Sequence, residues 1–229
     1  MKGSDDNYLT GSVVRWIADL GYSKIEIGSD GEPAILDLTE AIRAAREEET
    51  TLGSVTSEGS HASIGGCEGA HWRVAGHLRT LDASVEEHYG ENLRPDNILT
   101  PWAVRHTGWT LTKFNVGEDG RTGHQRLKGK EYRHHVLEFG ETAMWHRQTE
   151  VGDAKMEKRF KKGIWVGKLD QTAAHLFLTP EGARKSRTVR RLAPSERWDK
   201  EFLKTARGSP WNPTGDPGRG AVASCGRLD

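Results

Sequence analysis

At Gly117-Glu118-Asp119-Gly120 the hydrophobic pattern of this chain changes period, so one kind of secondary structure cannot serve both sides of it. Upstream, apolar residues recur every three or four positions. Val13, Val14, Ile17 and Leu20 predict a helix from Thr10 to Leu20 that stops at Gly21, a residue suited to a helix C-cap. Ile25 and Ile27 alternate with charged neighbours and predict a short strand. Pro33 then fits the first turn of a helix that carries Ile35, Leu38, Ile42 and Ala45 inward. The stretch from Glu49 to Gly66 is rich in Ser, Thr, Gly and Glu and reads as loop. After it, Cys67, His71, Val74, Leu78, Leu81 and Val85 form one apolar stripe on a helix that ends near Gly90. A further helix covers Ile98 to Phe114, with Pro101 in its first turn and Trp102, Trp109 and Leu111 as candidates for burial.

Downstream of Gly120 the apolar runs are short and separated by Gly and charge. Val136 to Phe139, Thr142 to Trp145, Lys162 to Gly167, His175 to Leu178 and Arg187 to Leu192 read as five strands, enough for a small barrel. These patterns divide the chain into an α/β part over residues 1–118, an all-β part over 119–207 and a Pro- and Gly-rich tail over 208–229 expected to be disordered. With 34% hydrophobic residues in 229, the chain has room for one medium or two small domains, each able to bury a core.

A net charge of zero conceals a segregation. Through Gly120 there are 10 Lys and Arg against 20 Asp and Glu, whereas from Arg121 to Arg207 there are 21 against 11. Such an imbalance serves either as a solubilising surface or as a back half that meets phosphate. Cys67 and Cys225 are the only cysteines, which argues for a reducing compartment rather than a disulfide framework. The amino terminus lacks a signal-peptide layout and no apolar run is long enough for a bilayer, so a nuclear or cytoplasmic location with no membrane partner is expected.

Two carboxylates stand where elements are expected to begin or end. Asp30 closes the strand in Ile25-Glu26-Ile27-Gly28-Ser29-Asp30-Gly31-Glu32, and Glu68 opens a helix in Ser63-Ile64-Gly65-Gly66-Cys67-Glu68, with 37 residues between them. Carboxylates on different elements can converge on a hard divalent cation. The plainer reading makes Asp30 an N-cap ahead of Pro33 and Glu68 a first-turn residue favourable to the helix dipole. Cys67, His71 and His77 lack zinc-ligand spacing and read as packing residues.

In this order the residues resemble the integrase region of copia-type retrotransposon polyproteins. The resemblance rests on SDGEPAI at Ser29 to Ile35, on Ser63 to Glu68, on Pro101-Trp102-Ala103 with Leu111-Thr112-Lys113-Phe114, and on Asp119-Gly120-Arg121-Thr122 with Gly129-Lys130. It continues through Phe139-Gly140-Glu141, Gly163 to Lys168 and Arg187 to Leu192. It implies an α/β fold: a partial RNase H-like core followed by a small Src-homology-like all-β barrel. It further implies DNA integration by metal-dependent strand transfer, with Asp30 and Glu68 as catalytic metal ligands for Mg²⁺ or Mn²⁺. DNA and other integrase subunits would be the partners. The family's first catalytic Asp lies upstream of the position matched by Asp30 and has no counterpart here, so the fragment is expected to be inactive alone.

Nucleic-acid contacts would come from Arg73 and Arg79 on the helix after Glu68, from Lys155, Lys158, Arg159, Lys161 and Lys162, and from Arg187, Arg190 and Arg191, with Arg184 and Lys185 nearby. The competing readings are a non-enzymatic basic DNA-binding module, an inert transposon relic, and charge that merely guards strand edges.

Overall fold

The computed structural model describes residues 7–29, 31–46, 50–55, 61–148 and 158–216. By internal packing the chain forms two compact units, one of Met1–Trp72 with Arg219–Asp229 and one of Arg73–Gly218. The packing division thus falls upstream of the change in sequence texture at Gly117 to Gly120.

In the first unit, helix α1 (Asn7–Leu20) precedes strand β1 (Lys24–Ser29), helix α2 (Pro33–Ala45) and strand β2 (Thr50–Val55). Gly21 ends α1 with φ +75°, a conformation that glycine adopts without steric cost. β1 and β2 pair in parallel from Lys24 against Thr50 to Ser29 against Val55, making a β-α-β arrangement. The buried Arg46 helps hold β2: its Nε donates to Thr51 Oγ1 at 3.0 Å and its Nη2 to the Tyr22 carbonyl at 3.3 Å. Among the described residues Ile17 and Ile42 are the buried apolar ones here, while Ile35 and Ala45, expected inward, are exposed. The inward face of α2 is rotated toward Leu38, Ala41 and Ile42.

Helix α3 (His61–Tyr89) begins inside the stretch expected to be loop and ends at Gly90, φ +67°. Its expected stripe is buried only toward the C terminus. Cys67 and His71 are exposed, Val74, Leu78 and Leu81 are half-buried, and Val85 and Tyr89 are buried.

The second unit adds α4 (Thr100–Phe114), α5 (Gly123–Lys128), β3 (Thr142–His146), β4 (Phe160–Lys168), β5 (His175–Thr179), β6 (Gly182–Ser186), β7 (Val189–Arg191) and α6 (Lys200–Thr205). The strands form one antiparallel sheet in the order β6-β5-β4-β3-β7. α5 opens with a reciprocal cap: Thr122 Oγ1 accepts from Gln125 N and the Gln125 side chain accepts from Thr122 N.

Both faces of this sheet are buried, which a barrel read from alternation alone would not require. Ile164, Leu176 and Leu178 join Val85, Tyr89, Leu99, Trp102, Ala103, Phe139 and Leu203 in one cluster. Their strand neighbours Trp165 and Phe177 point the other way, into a second cluster with Leu137, Ala143 and Trp145. Hence β5 is buried at every position and β4 at its last six, as in strands covered on two sides.

Gly163 lets the aromatic rings approach β4. A Cβ there would sit 2.9 Å from Phe177 Cβ and 2.9 Å from a Trp145 ring carbon. Gly163→Ala is therefore expected to lower stability by about 1–3 kcal/mol through overpacking, read from the urea midpoint. A midpoint equal to wild type would mean that the rings yield at no cost.

Two further expectations are corrected. Val136 to Phe139 is not a strand, although Leu137 and Phe139 are buried, one in each cluster. The tail is folded over residues 208–216: Ala183 N donates to the Pro213 carbonyl at 2.7 Å, and Trp102 Nε1 donates to the Gly208 carbonyl at 3.0 Å. Residues 217–229, with Cys225, lie outside the described residues.

Candidate nucleic-acid interface

The basic residues around β4 and β7 come together because both strands pair with β3. Trp145 of β3 lies opposite Lys161 on one side and Val189 on the other, and Met144 likewise lies opposite Lys162 and Arg190. At this end of the sheet Phe160 pairs with His146, whose ring meets it edge-on at 5.2 Å. The Arg190 guanidinium lies 4.3 Å from the centre of the Phe160 ring, a cation-π arrangement that fixes its direction. Lys158, Arg159, Lys161, Arg187 and Arg190 are exposed. Among the described residues none of these five makes an ion pair.

Two other members of the expected set are engaged within the fold. Lys162 Nζ donates to Asp199 Oδ2 at 2.9 Å and lies over the Phe202 ring at 5.8 Å, tying β4 to the start of α6. Asp199 caps that helix by accepting from Phe202 N at 2.9 Å, and the Lys162 hydrogen bond holds its carboxyl below the usual range. Arg191 grips Glu141 through two nitrogens, Nε to Oε1 at 2.7 Å and Nη2 to Oε2 at 2.5 Å. Glu141 is fully buried and has Arg197 Nε at 3.7 Å as a second cation. Sequence reasoning passed over Glu141. The available signal was a carboxylate placed directly before a β run, two residues after Phe139.

Arg73 and Arg79 are exposed on α3. Six residues at about 100° each put them about 120° apart around the axis, so they do not share a face. Lys155 lies outside the described residues.

Of the two carboxylates, Asp30 lies outside the described residues and its pairing with Glu68 has no geometry to report. Glu68 is exposed on α3, one turn before the exposed Trp72. Among the described residues no group of three or more His, Cys, Asp or Glu is placed to hold a metal ion. Of the two expected ligands only Glu68 is described, and a two-metal centre needs several oxygen ligands at fixed separation.

No family model and no curated protein matches this chain. Among solved structures it is similar to a chain in the cryo-electron-microscopy structure of the simian T-cell lymphotropic virus intasome in complex with PP2A regulatory subunit B56 gamma. Identity is 19% and the TM-score 0.39, with 85% of this chain and 66% of that chain covered, just under two thirds of its length. No helix among the described residues is long and apolar enough to cross a membrane.

Proposed function

We propose that this chain is a piece of a retrotransposon integrase that binds the nucleic-acid backbone through the basic end of its five-strand sheet. The sheet is the Src-homology-like barrel of that reading, and residues 1–118 are the remnant of an RNase H-like core. The observation that supports the binding role is a set of exposed cations at one end of the sheet: Lys161 on β4 and Arg190 on β7, with Lys158 and Arg159 just before β4 and Arg187 just before β7. Cations on a rigid sheet neutralise phosphates at low entropic cost and position a duplex without reading its bases. Arg190, held over Phe160, can face one phosphate without first being ordered.

The test is fluorescence anisotropy of the full chain with a labelled duplex over a series of salt concentrations. Lys158→Glu, Arg159→Glu, Lys161→Glu and Arg187→Glu combined are expected to weaken binding more than ~10-fold. The slope of log affinity against log salt should become shallower by about 0.9 for each phosphate that the variant no longer neutralises. Equal affinity and slope in the variant would remove this surface as the footprint.

We further propose that the chain alone does not carry out strand transfer. One matched carboxylate of the catalytic set, Glu68, is exposed, and among the described residues no group of three or more His, Cys, Asp or Glu is placed to hold a metal ion. In a joining assay with Mg²⁺ or Mn²⁺ no product is expected. Product formation abolished by Glu68→Gln would overturn this and restore the enzymatic reading. The basic module without catalysis is the second reading, favoured by the exposure of Glu68 on α3.

A further inference from the structure

Where the end of α4 meets the turn between β4 and β5, the second unit collects hydrogen-bond donors with too few acceptors. Lys113 is 7% exposed and Lys168 is 2% exposed. Their ammonium groups lie 5.6 and 6.0 Å from the centre of one ring, that of Tyr132. Lys168 Nζ donates to the His135 carbonyl at 2.8 Å, and Arg105 Nη1 donates to the Lys168 carbonyl at 3.0 Å. Lys113 Nζ is 3.3 Å from His124 Nδ1, a neutral acceptor.

Among the described residues the one carboxylate paired with these cations is Asp170, which pairs with Lys113 and Arg105 and is itself half exposed. It stands 3.7 Å from Lys113 Nζ and 4.0 Å from Arg105 Nη2, both too long for hydrogen bonds. Two further donors are sealed from solvent without a partner: the Tyr132 hydroxyl and Trp109 Nε1, on rings that meet edge-on at 5.3 Å. The Tyr132 quadrupole offsets part of the charge, but it is not a counter-ion. Burial pushes Lys168 down to about 8, and burial together with Lys113 pushes His124 down.

We propose that Lys113, Lys168, Arg105 and Tyr132 form an oxyanion site that takes a phosphate group. The anion enters on the side of Asp170, displaces that loosely held carboxylate from Lys113 and accepts from the ammonium groups and the Tyr132 hydroxyl. The site is separate from the basic end at Phe160 and does not depend on the nucleic-acid reading. Free phosphate and a backbone phosphodiester share this chemistry.

The experiment follows isotope-labelled lysine ε-carbons by NMR in the full chain, titrated with sodium phosphate against sodium chloride at matched ionic strength. The resonances are assigned with Lys113→Met and Lys168→Met. A saturable shift of Lys113 and Lys168, absent in chloride, with a phosphate-dependent rise in Tm, is the expected result. Each Met variant should lose that rise in Tm. If a variant fails to fold, the wild-type shift decides alone.

A second arm adds an oligonucleotide. Movement of the same two resonances with it identifies a phosphodiester, and movement with inorganic phosphate only identifies a free anion. The quadruple charge-reversal variant should keep the phosphate response even if it loses DNA. Shifts spread over the exposed lysines, or none beyond the chloride control, would overturn the site.

Discussion

Replacing Glu141 with alanine is expected to destabilise the second unit by about 3–5 kcal/mol, read as a large fall in the urea midpoint with unchanged m-value. The carboxylate is fully buried between Arg191 and Arg197, and its backbone also holds the sheet: Glu141 O accepts from Trp165 N at 2.8 Å. Removing the side chain strips the partner from two guanidiniums. It also deprives Glu138 N of the oxygen that accepts from it at 3.3 Å. Desolvating a carboxylate costs several kcal/mol, so the pair's net value over an apolar substitute is small while the cost of breaking it is large. The double variant Glu141→Met with Arg191→Met should therefore recover much of what either single variant loses. If Glu141→Ala costs less than about 1 kcal/mol, water has replaced the missing charge and the burial argument fails.

The same pair explains part of what could be read from the residues beforehand. Arg191 belongs to a run of cations, and nothing in sequence separates a cation that meets phosphate from one that meets a buried carboxylate 50 positions away. Lys162 and Asp199 pose the same problem across 37 residues. Long-range pairing is written in the register of β3 against β4 and β7, which local composition does not encode. Exposed Lys158, Arg159, Lys161, Arg187 and Arg190 were legible as a set because a run of charge is a local property of the sequence. The oxyanion cluster was not legible, since Lys113, Tyr132 and Lys168 come from three separate segments.

Helices with strong boundaries were legible for physical reasons. Pro33 and Pro101 stand in the first turns of α2 and α4, and Gly21 and Gly90 end α1 and α3 with positive φ. β2 was missed because its Thr-Thr-Leu-Gly-Ser-Val has little apolar content and is held by parallel pairing with β1. The start of α3 was missed because Gly65 and Gly66, each costing about 1 kcal/mol in a helix, read as loop. β6 was missed because Gly-Ala-Arg-Lys-Ser looks like surface. The turn at Pro180-Glu181, which sets Thr179 opposite Gly182, was the available signal. In α3 the stripe continues in sequence through Cys67 and His71, yet burial needs an opposing surface, and within the second unit the core cluster takes α3 residues from Leu78 onward.

Acid should weaken the second unit before its carboxylates titrate, because two histidines are buried neutral. His106 is pushed down to about 4, mainly by burial and further by His77 and Arg105. It stacks near Trp109 and Phe139 and meets Trp165 edge-on. Its Nε2 is 3.3 Å from Thr110 Oγ1, while Nδ1 is sealed without a partner, so a proton there would have no acceptor. His175 is pushed down to about 4 as well, by burial and then by Lys168, His135 and His134. Its Nδ1 accepts from Trp165 Nε1 at 3.0 Å and is thereby occupied. Both folded values lie below the ordinary histidine value of about 6.5, so between these limits the unfolded chain binds more protons than the folded one. Stability is therefore full above about pH 6.5 and is lost as pH falls toward 4, with His106 contributing on the order of 3 kcal/mol. Asp199 and Glu181, whose carboxyls are held low by hydrogen bonds, lose their contribution only at lower pH. Urea midpoints across this range should fall with acid, and His106→Leu should flatten the fall by its own share while leaving that of His175. A wild-type midpoint that stays level down to about pH 4 would show that both imidazoles accept protons within the folded core.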